Sequence, residues 1–415
     1  MKEKSKKRYL AFFISSEKNT ASERFVHAFG FLINKICEKF EKLYIIDVTN
    51  LKFFSKKKGV SDCTLNRNFK LPRNIEFYNP QNSNDFKHFM KEKELIGINN
   101  FGNRFRELRV FFLFKQHKIK QVQISNLGEP SKILLRPLKS FFWKGLLWKL
   151  THIYAYKFTV LLSNLRLISK MEIRFVTNPN IIKYTKMNNN IYKKIFNYFK
   201  LSFAKEFILI NSRAFDLFKS NKITVDEKQI VLIDDPYNDP ERTRLREPLD
   251  GKKETEHYYN LNRILKQFSN IYKKKIIVCI HPVDDLELKK KYFSDFEVVK
   301  YQTKENIYKA FIVLFSESSA IIDAILLKKR IISVISNAMD ENQIRHSSYF
   351  AKEFGAEKIN IEDDVIVDAD NKNAFLLKLD KATKNYSNFI NSYIAADGDN
   401  LGYEKIINTL KSRFF

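Results

Sequence analysis

The chain is poor in cysteine, in long apolar runs and, through its first half, in acid. Three cysteines in 415 residues, Cys37, Cys63 and Cys279, are scattered and in no metal-ligand spacing. That argues against a disulfide framework and fits a reducing compartment. No stretch approaches the ~20 apolar residues that a membrane-spanning helix needs. The basic start, Met1 to Arg8, runs into an apolar segment, Tyr9 to Ile14, too short for a signal peptide. Polar residues follow at once without a cleavage-site pattern, so the expected location is cytoplasmic. The sequence has no Walker motif, no Gly-x-Gly-x-x-Gly, no zinc spacing and no Asp-x-Asp pair set at a strand end to hold a metal. The chemistry expected is therefore metal-independent, with no resident cofactor.

The scarcity of acid is local. Residues 1–200 hold 40 Lys+Arg against 14 Asp+Glu, residues 101–200 hold 20 against 3, and residues 201–415 hold 34 against 33. Drift toward Lys, Asn, Ile and Phe accounts for many lysines, but not for acid that balances them only after residue 200. A field this lopsided predicts an anionic partner on the first half. Nucleic acid is one such partner, yet no recognised nucleic-acid module is present.

The length favours two domains, and the pattern gives each an α/β plan. The first half opens with a strand over Arg8–Ile14, a helix from Ala21 to about Lys42 and a strand over Leu43–Val48. Residues 51–100 resist reading. A helical segment rich in aromatics and lysine spans Phe141–Ile168, and Arg174–Thr177 reads as a strand. The second half alternates strands at Gln229–Ile233, Lys275–Ile280, Phe296–Tyr301, Phe311–Phe315, Arg330–Ile335 and Lys358–Ile361 with helices, notably Glu254–Tyr272, Lys304–Ala310, Ser319–Leu327 and Gln343–Phe354. Such alternation means doubly wound parallel sheets. The expected division is 1–210, strongly basic; 211–385, the second α/β domain; and 386–415, a helical tail.

Three strand ends in the second half carry chemistry. One runs into Asp234-Asp235-Pro236, one into His281-Pro282, and one into Ser316-Glu317-Ser318-Ser319 before a helix. All three should emerge on one rim. Ser318 or Ser319 can cap the helix, whose free N–H groups attract phosphate. His281, fixed by Pro282, can donate to a phosphate leaving group. Asp234 or Asp235 can accept from a ribose or sugar hydroxyl. Taken singly, an Asp-Asp-Pro turn, a His-Pro pair and a serine N-cap are ordinary structural features; their order and shared rim favour function.

His281-Pro282 followed by Ser316-Glu-Ser-Ser319 resembles the His-Pro and Ser-Ser motifs of bacterial capsule and lipopolysaccharide glycosyltransferases, the polysialyltransferase-like enzymes among them. Ile233–Pro236, Tyr258–Asn262, Ala324–Ile332, Tyr386–Ile394 and Asp397-Gly398 resemble the surrounding segments of surface-polysaccharide proteins. The resemblance covers residues from about 228 onward. It implies a GT-B fold, two Rossmann-like domains facing a cleft with C-terminal helices packing back. It also implies an inverting transfer of sugar from a nucleotide-activated donor, such as a CMP-sugar, to a growing surface polysaccharide. Donor phosphate would meet His281, Ser318 and Ser319, with Pro282 and Ser316 also in the donor site. The family's acidic-acidic-Gly motif has its nearest match at Asn126-Leu127-Gly128, without the acids, leaving Glu129 as candidate base. The acceptor would be an anionic or lipid-linked saccharide. Phe141–Lys149, with its Trp and Lys, suits either a buried helix or peripheral contact with the inner face of the cytoplasmic membrane. The alternatives are a non-catalytic assembly protein of the same fold, a nucleotide-sugar epimerase and a nucleic-acid-binding protein.

Overall fold

The computed structural model describes residues 7–15, 20–52, 72–91, 93–99, 107–125, 155–179, 182, 204–221, 224–237, 251–282, 284–316, 318–363 and 367–415. Of these, residues through 125, 155–211 and Asp399–Phe415 make one unit, and 212–398 make another.

The first unit contains β1 (Lys7–Ile14), α1 (Thr20–Cys37), β2 (Leu43–Asp47), β3 (Ile75–Tyr78), α2 (Ser83–Phe89), β4 (Lys93–Asn99), α3 (Leu108–Gln116), β5 (Lys120–Ser125), α4 (Ala155–Asn164), β6 (Met171–Val176) and β7 (Ala204–Leu209). Its described strands pair in the order β3-β2-β1-β4-β5-β6-β7, every pair parallel. A parallel sheet is covered on both faces, and β1 accordingly buries Leu10 through Ile14 without alternation. Gly97 on β4 is small for a packing reason: a Cβ there would stand 2.6 Å from Phe13 Cε2. Helix α1 stops at Cys37, short of Lys42, because Asn74 Nδ2 donates to the carbonyls of both Cys37 and Phe40 at 3.0 Å. The segment that resisted reading holds β3, α2 and β4. Of the Phe141–Ile168 helix, α4 falls within the described residues and 141–154 lie outside them.

The second unit contains α5 (Arg213–Ser220), β8 (Gln229–Ile233), α6 (Gly251–Tyr272), β9 (Lys275–Ile280), α7 (Leu286–Tyr292), β10 (Glu297–Lys300), α8 (Thr303–Tyr308), β11 (Ala310–Phe315), α9 (Ile321–Leu326), β12 (Arg330–Ile335), α10 (Glu341–Phe354), β13 (Glu357–Asn360), α11 (Lys372–Thr383) and α12 (Tyr386–Phe389), which runs into a π turn over Ile390–Ile394. Its sheet runs β10-β9-β8-β11-β12-β13, again parallel throughout. The doubly wound Rossmann-like plan expected of both halves is present. The chain then returns to the first unit as α13 (Gly402–Phe414), whose Ile406, Ile407, Leu410 and Phe414 join the core formed by β1 and α1. Arg8 Nη1 donates to Phe414 O at 3.1 Å and fixes that return.

Candidate functional site

In the second unit the chain winds outward from β8 through β9 to β10, then restarts at β11 on the other side of β8. The C-terminal ends of β8 and β11 therefore form the switch point at which open α/β sheets bind ligands. The register is tight: Ile233 pairs with Cys279 on β9 and with Phe315 on β11. Asp234-Asp235, His281-Pro282 and Ser316 with Ser318 and Ser319 thus leave three adjacent strands on one edge. With strands ~4.8 Å apart, the His281 and Ser316 backbones stand about 10 Å from each other.

Their surroundings differ. Asp234 is committed through one oxygen: its Oδ2 accepts from Lys289 Nζ of α7 at 2.5 Å, and both side chains are buried. Lys289 also donates to Tyr258 Oη, lies 4.7 Å from the Tyr258 ring centre, and is 3.8 Å from Asp284 Oδ2. Burial pushes the Asp234 carboxyl up to about 6 against the pull of Lys289. Burial also opposes charge on Lys289, but Asp234 and Asp284 hold its pKa above the ordinary lysine value. The pair is ionised at neutral pH. It joins the loop after β8, through α7, to the loop that carries His281. Asp234 accordingly frames the rim, and Asp235, also buried, lies beside it.

Ser316 is likewise part of the frame. Its hydroxyl donates to Val334 O at 3.1 Å and meets Tyr237 Oη at 3.1 Å, while its carbonyl accepts from Ser347 Oγ at 2.9 Å. Of the remaining rim residues, His281 and Ser318 are half-buried and Pro282 is exposed. The His281 carbonyl accepts from Asp284 N at 2.9 Å, which bends the loop back toward Lys289. Ser318 Oγ accepts weakly from Ala320 N at 3.4 Å, and Ser318–Ala320 form a tight i→i+3 turn that delays α9 to Ile321. Ser319 is exposed. Glu129, the candidate base, lies outside the described residues.

The first unit has its own switch point, between β1 and β4. There Ser15 Oγ accepts from Lys52 Nζ at 2.5 Å, and Lys52 pairs with Glu107 at 3.0 Å, each side chain 2 % exposed. On the opposite edge of that sheet, Lys7, Arg8, Lys39, Lys42 and Lys411 line a groove of about 450 Å³ with Phe40. Several of its cations are matched, as in Lys7–Glu41 at 2.7 Å and Arg8–Glu94 at 3.0 Å. Among the described residues, no group of three or more His, Cys, Asp or Glu side chains is placed to hold a metal ion. No described helix is long and apolar enough to cross a membrane.

No protein-family model matches the chain, and no curated protein matches its sequence. The match lies in three dimensions. The wall teichoic acid polymerase TagF is similar over 99% of this chain and 89% of its own, with 11% identity and a TM-score of 0.54. Anabaena HepE in complex with UDP aligns over 98% of this chain and 100% of its own, at 10% identity and a TM-score of 0.48. The UDP-GlcNAc 2-epimerase of Methanocaldococcus jannaschii aligns over 97% and 99%, at 14% identity and 0.46. At these identities the similarity is one of fold. The two Rossmann-like sheets are of the GT-B type.

Three buried side chains around this rim carry no sequence motif: Lys289, Tyr237, and His257 of α6, whose ring packs against Tyr237 at 4.7 Å. Lys289 stands in a run, Lys289-Lys290-Lys291, that reads as a solvated face. Leu286 and Phe293 share its side of α7 by helical spacing, which was the available sign that one of the three points inward. His257 and Tyr237 carry no motif; they are legible only once β8 and α6 are packed.

Proposed function

We propose that the chain is a glycosyltransferase that moves a sugar from a nucleotide-activated donor to a growing surface polysaccharide. The observation that carries this reading is the switch-point rim of the second unit, where His281 and Ser318, half-buried, and Ser319, exposed, follow the ends of the two strands that flank β8. His281 donates to the phosphate that leaves with the nucleotide and so stabilises charge developing on it. Ser318, Ser319 and the turn N–H groups beside them hold the same phosphates, and no metal is needed. The similarity to TagF, one of whose structures was obtained after a soak with CDPG, supports a nucleotide-linked donor and, with it, a cytidine nucleotide as the first to try.

An inverting transfer requires a base within hydrogen-bond reach of the acceptor hydroxyl, the role proposed for Glu129. The acceptor, an anionic or lipid-linked saccharide, is assigned to the basic first half. Asn126 and Leu127, standing where related enzymes carry two acids, favour one second reading: a non-catalytic assembly protein that retains donor binding. A thermal-shift screen against CMP, CDP, UDP, GDP and dTDP tests the donor site, since a ligand of the folded state raises the melting temperature. One nucleotide should stabilise the protein and should fail to do so with His281→Ala. No shift with any of them would overturn the reading. Release of free nucleotide only in the presence of acceptor then separates transferase from assembly protein, and release of a sugar isomer from donor alone would mark an epimerase.

A further inference from the structure

We propose that His257 and Tyr237 read the nucleoside of the donor, Tyr237 being the group that the nucleoside displaces. The proposal rests on the donor assignment above and adds two residues that no motif marks. Tyr237, just past β8, is 7 % exposed, and its hydroxyl bonds to Ser316 Oγ, the first residue past β11, at 3.1 Å. Its side chain therefore bridges the two strand ends that define the switch point, lying across the position where ligands of such sheets bind.

Beneath it, His257 of α6 is fully buried, and neither ring nitrogen has a hydrogen-bond partner among the described residues. Its ring packs edge-on against Tyr237, with centroids 4.7 Å apart, and against Tyr258 at 5.2 Å. Buried polar atoms are paired in the great majority of cases, and a position serving only to fill space would tolerate leucine. Burial lowers the His257 pKa to about 3, with the Lys289 charge adding to the effect. The imidazole is therefore neutral and presents one donor and one acceptor together. A third orphaned atom, Asp234 Oδ1, belongs to the same cluster through Lys289 and Tyr258. A nucleoside supplies what this cluster lacks. Its flat base can replace the Tyr237 ring against the imidazole, and a base edge or ribose hydroxyl offers the matching acceptor and donor.

The test is isothermal titration of the intact protein with the five nucleotides above and with inorganic pyrophosphate. His257→Leu, close in volume, should melt no lower than wild type because it removes two orphaned polar atoms. It should bind the preferred nucleotide at least ~10-fold more weakly while leaving pyrophosphate affinity unchanged, the loss of about one buried hydrogen bond. His281→Ala should weaken both ligands. His257→Gln, which keeps a donor and an acceptor, should stay within about threefold of wild type, and Tyr237→Phe, which no longer holds Ser316, should bind about threefold more tightly. If wild type binds a nucleotide and His257→Leu binds it equally well, the inference is wrong and the donor reading survives. If wild type binds no nucleotide, the donor reading itself fails and takes the inference with it.

Discussion

Removing the ammonium of Lys289 should expose how much the rim depends on its buried ion pair. In Lys289→Met the Asp234 carboxylate keeps its burial but loses its partner at 2.5 Å, and its Oδ1 has none among the described residues to begin with. Breaking one side of a buried pair costs about 3–5 kcal/mol. For a cooperative unit of this size that is a fall in melting temperature on the order of 10 °C. The deficit should depend on pH with a definite sign. Asp234 already titrates at about 6 in the folded protein, above its ordinary value, and loss of the cation raises it further. A carboxyl whose folded pKa is raised contributes stability that is present below its unfolded pKa and is lost as pH rises through the folded pKa. The variant's deficit should thus be largest near pH 8 and shrink toward pH 5, where the stranded carboxyl takes up a proton. Melting curves at both pH values, by circular dichroism or calorimetry, provide the readout. Adding Asp234→Asn should restore part of the loss, since the double variant buries no unpaired charge. A deficit below about 1 kcal/mol at pH 8, or one that does not change with pH, would refute the argument.

Other outcomes can be stated more briefly. His281→Ala should abolish transfer and leave the melting temperature within about 2 °C of wild type, because a half-buried strand-end side chain contributes little packing; full activity would remove His281 from the donor site. Gly97→Ala should destabilise the first unit by about 1–3 kcal/mol, since the added methyl meets Phe13 at 2.6 Å; a neutral result in a denaturant melt would mean that the ring yields. Transfer should survive EDTA in single-turnover assays, and loss of activity restored by a divalent cation would contradict the metal-free route. Acceptor binding should weaken steeply between low and physiological salt if the basic half holds an anionic chain; titrations insensitive to salt would assign the charge elsewhere.

The second half was far more legible in the sequence than the first, for physical reasons. β8, β9 and β12 begin and end where the sequence placed them, because each is a short run of β-branched residues closed by a polar turn. α9 begins at Ile321, two residues after the Ser319 start expected from the sequence, since a serine before a helix signals a cap and the i→i+3 turn of Ser318–Ala320 looks the same in sequence. In the first half, β3 is four residues long and only partly buried, and polar residues interrupt the apolar pattern of α2 and β4, so none of the three stands out in the sequence. β7 was missed too, being only partly buried beyond Ala204. The rim was legible as a set of strand ends but not as a division of labour. Nothing in the letters Asp234 and Ser316 shows that their side chains are taken up by internal contacts, because Lys289, Tyr237 and Val334 arrive from other elements.

The lysines themselves require a distinction between structural and functional charge. Lys118, Arg166, Lys273 and Lys328 each hold a left-handed backbone, with φ between 52° and 58°. Such a conformation costs an ordinary residue ~1–2 kcal/mol, which glycine avoids. Each of the four follows the end of a helix, where the exposed carbonyls favour a cation by about 0.3–1 kcal/mol and offset part of that cost. These cations belong to the helix ends of both units, so they cannot explain an imbalance confined to one half of the sequence. In the second unit comparable lysines and arginines find carboxylates: Lys228 pairs with Asp226 at 2.5 Å, and Arg330 with Asp380 at 2.7 Å and Glu227 at 3.3 Å. The first half has 14 acids for 40 cations, too few for the same solution. The surplus therefore has to be met by solvent ions or by a bound polyanion, and only the polyanion would make affinity fall steeply as salt rises.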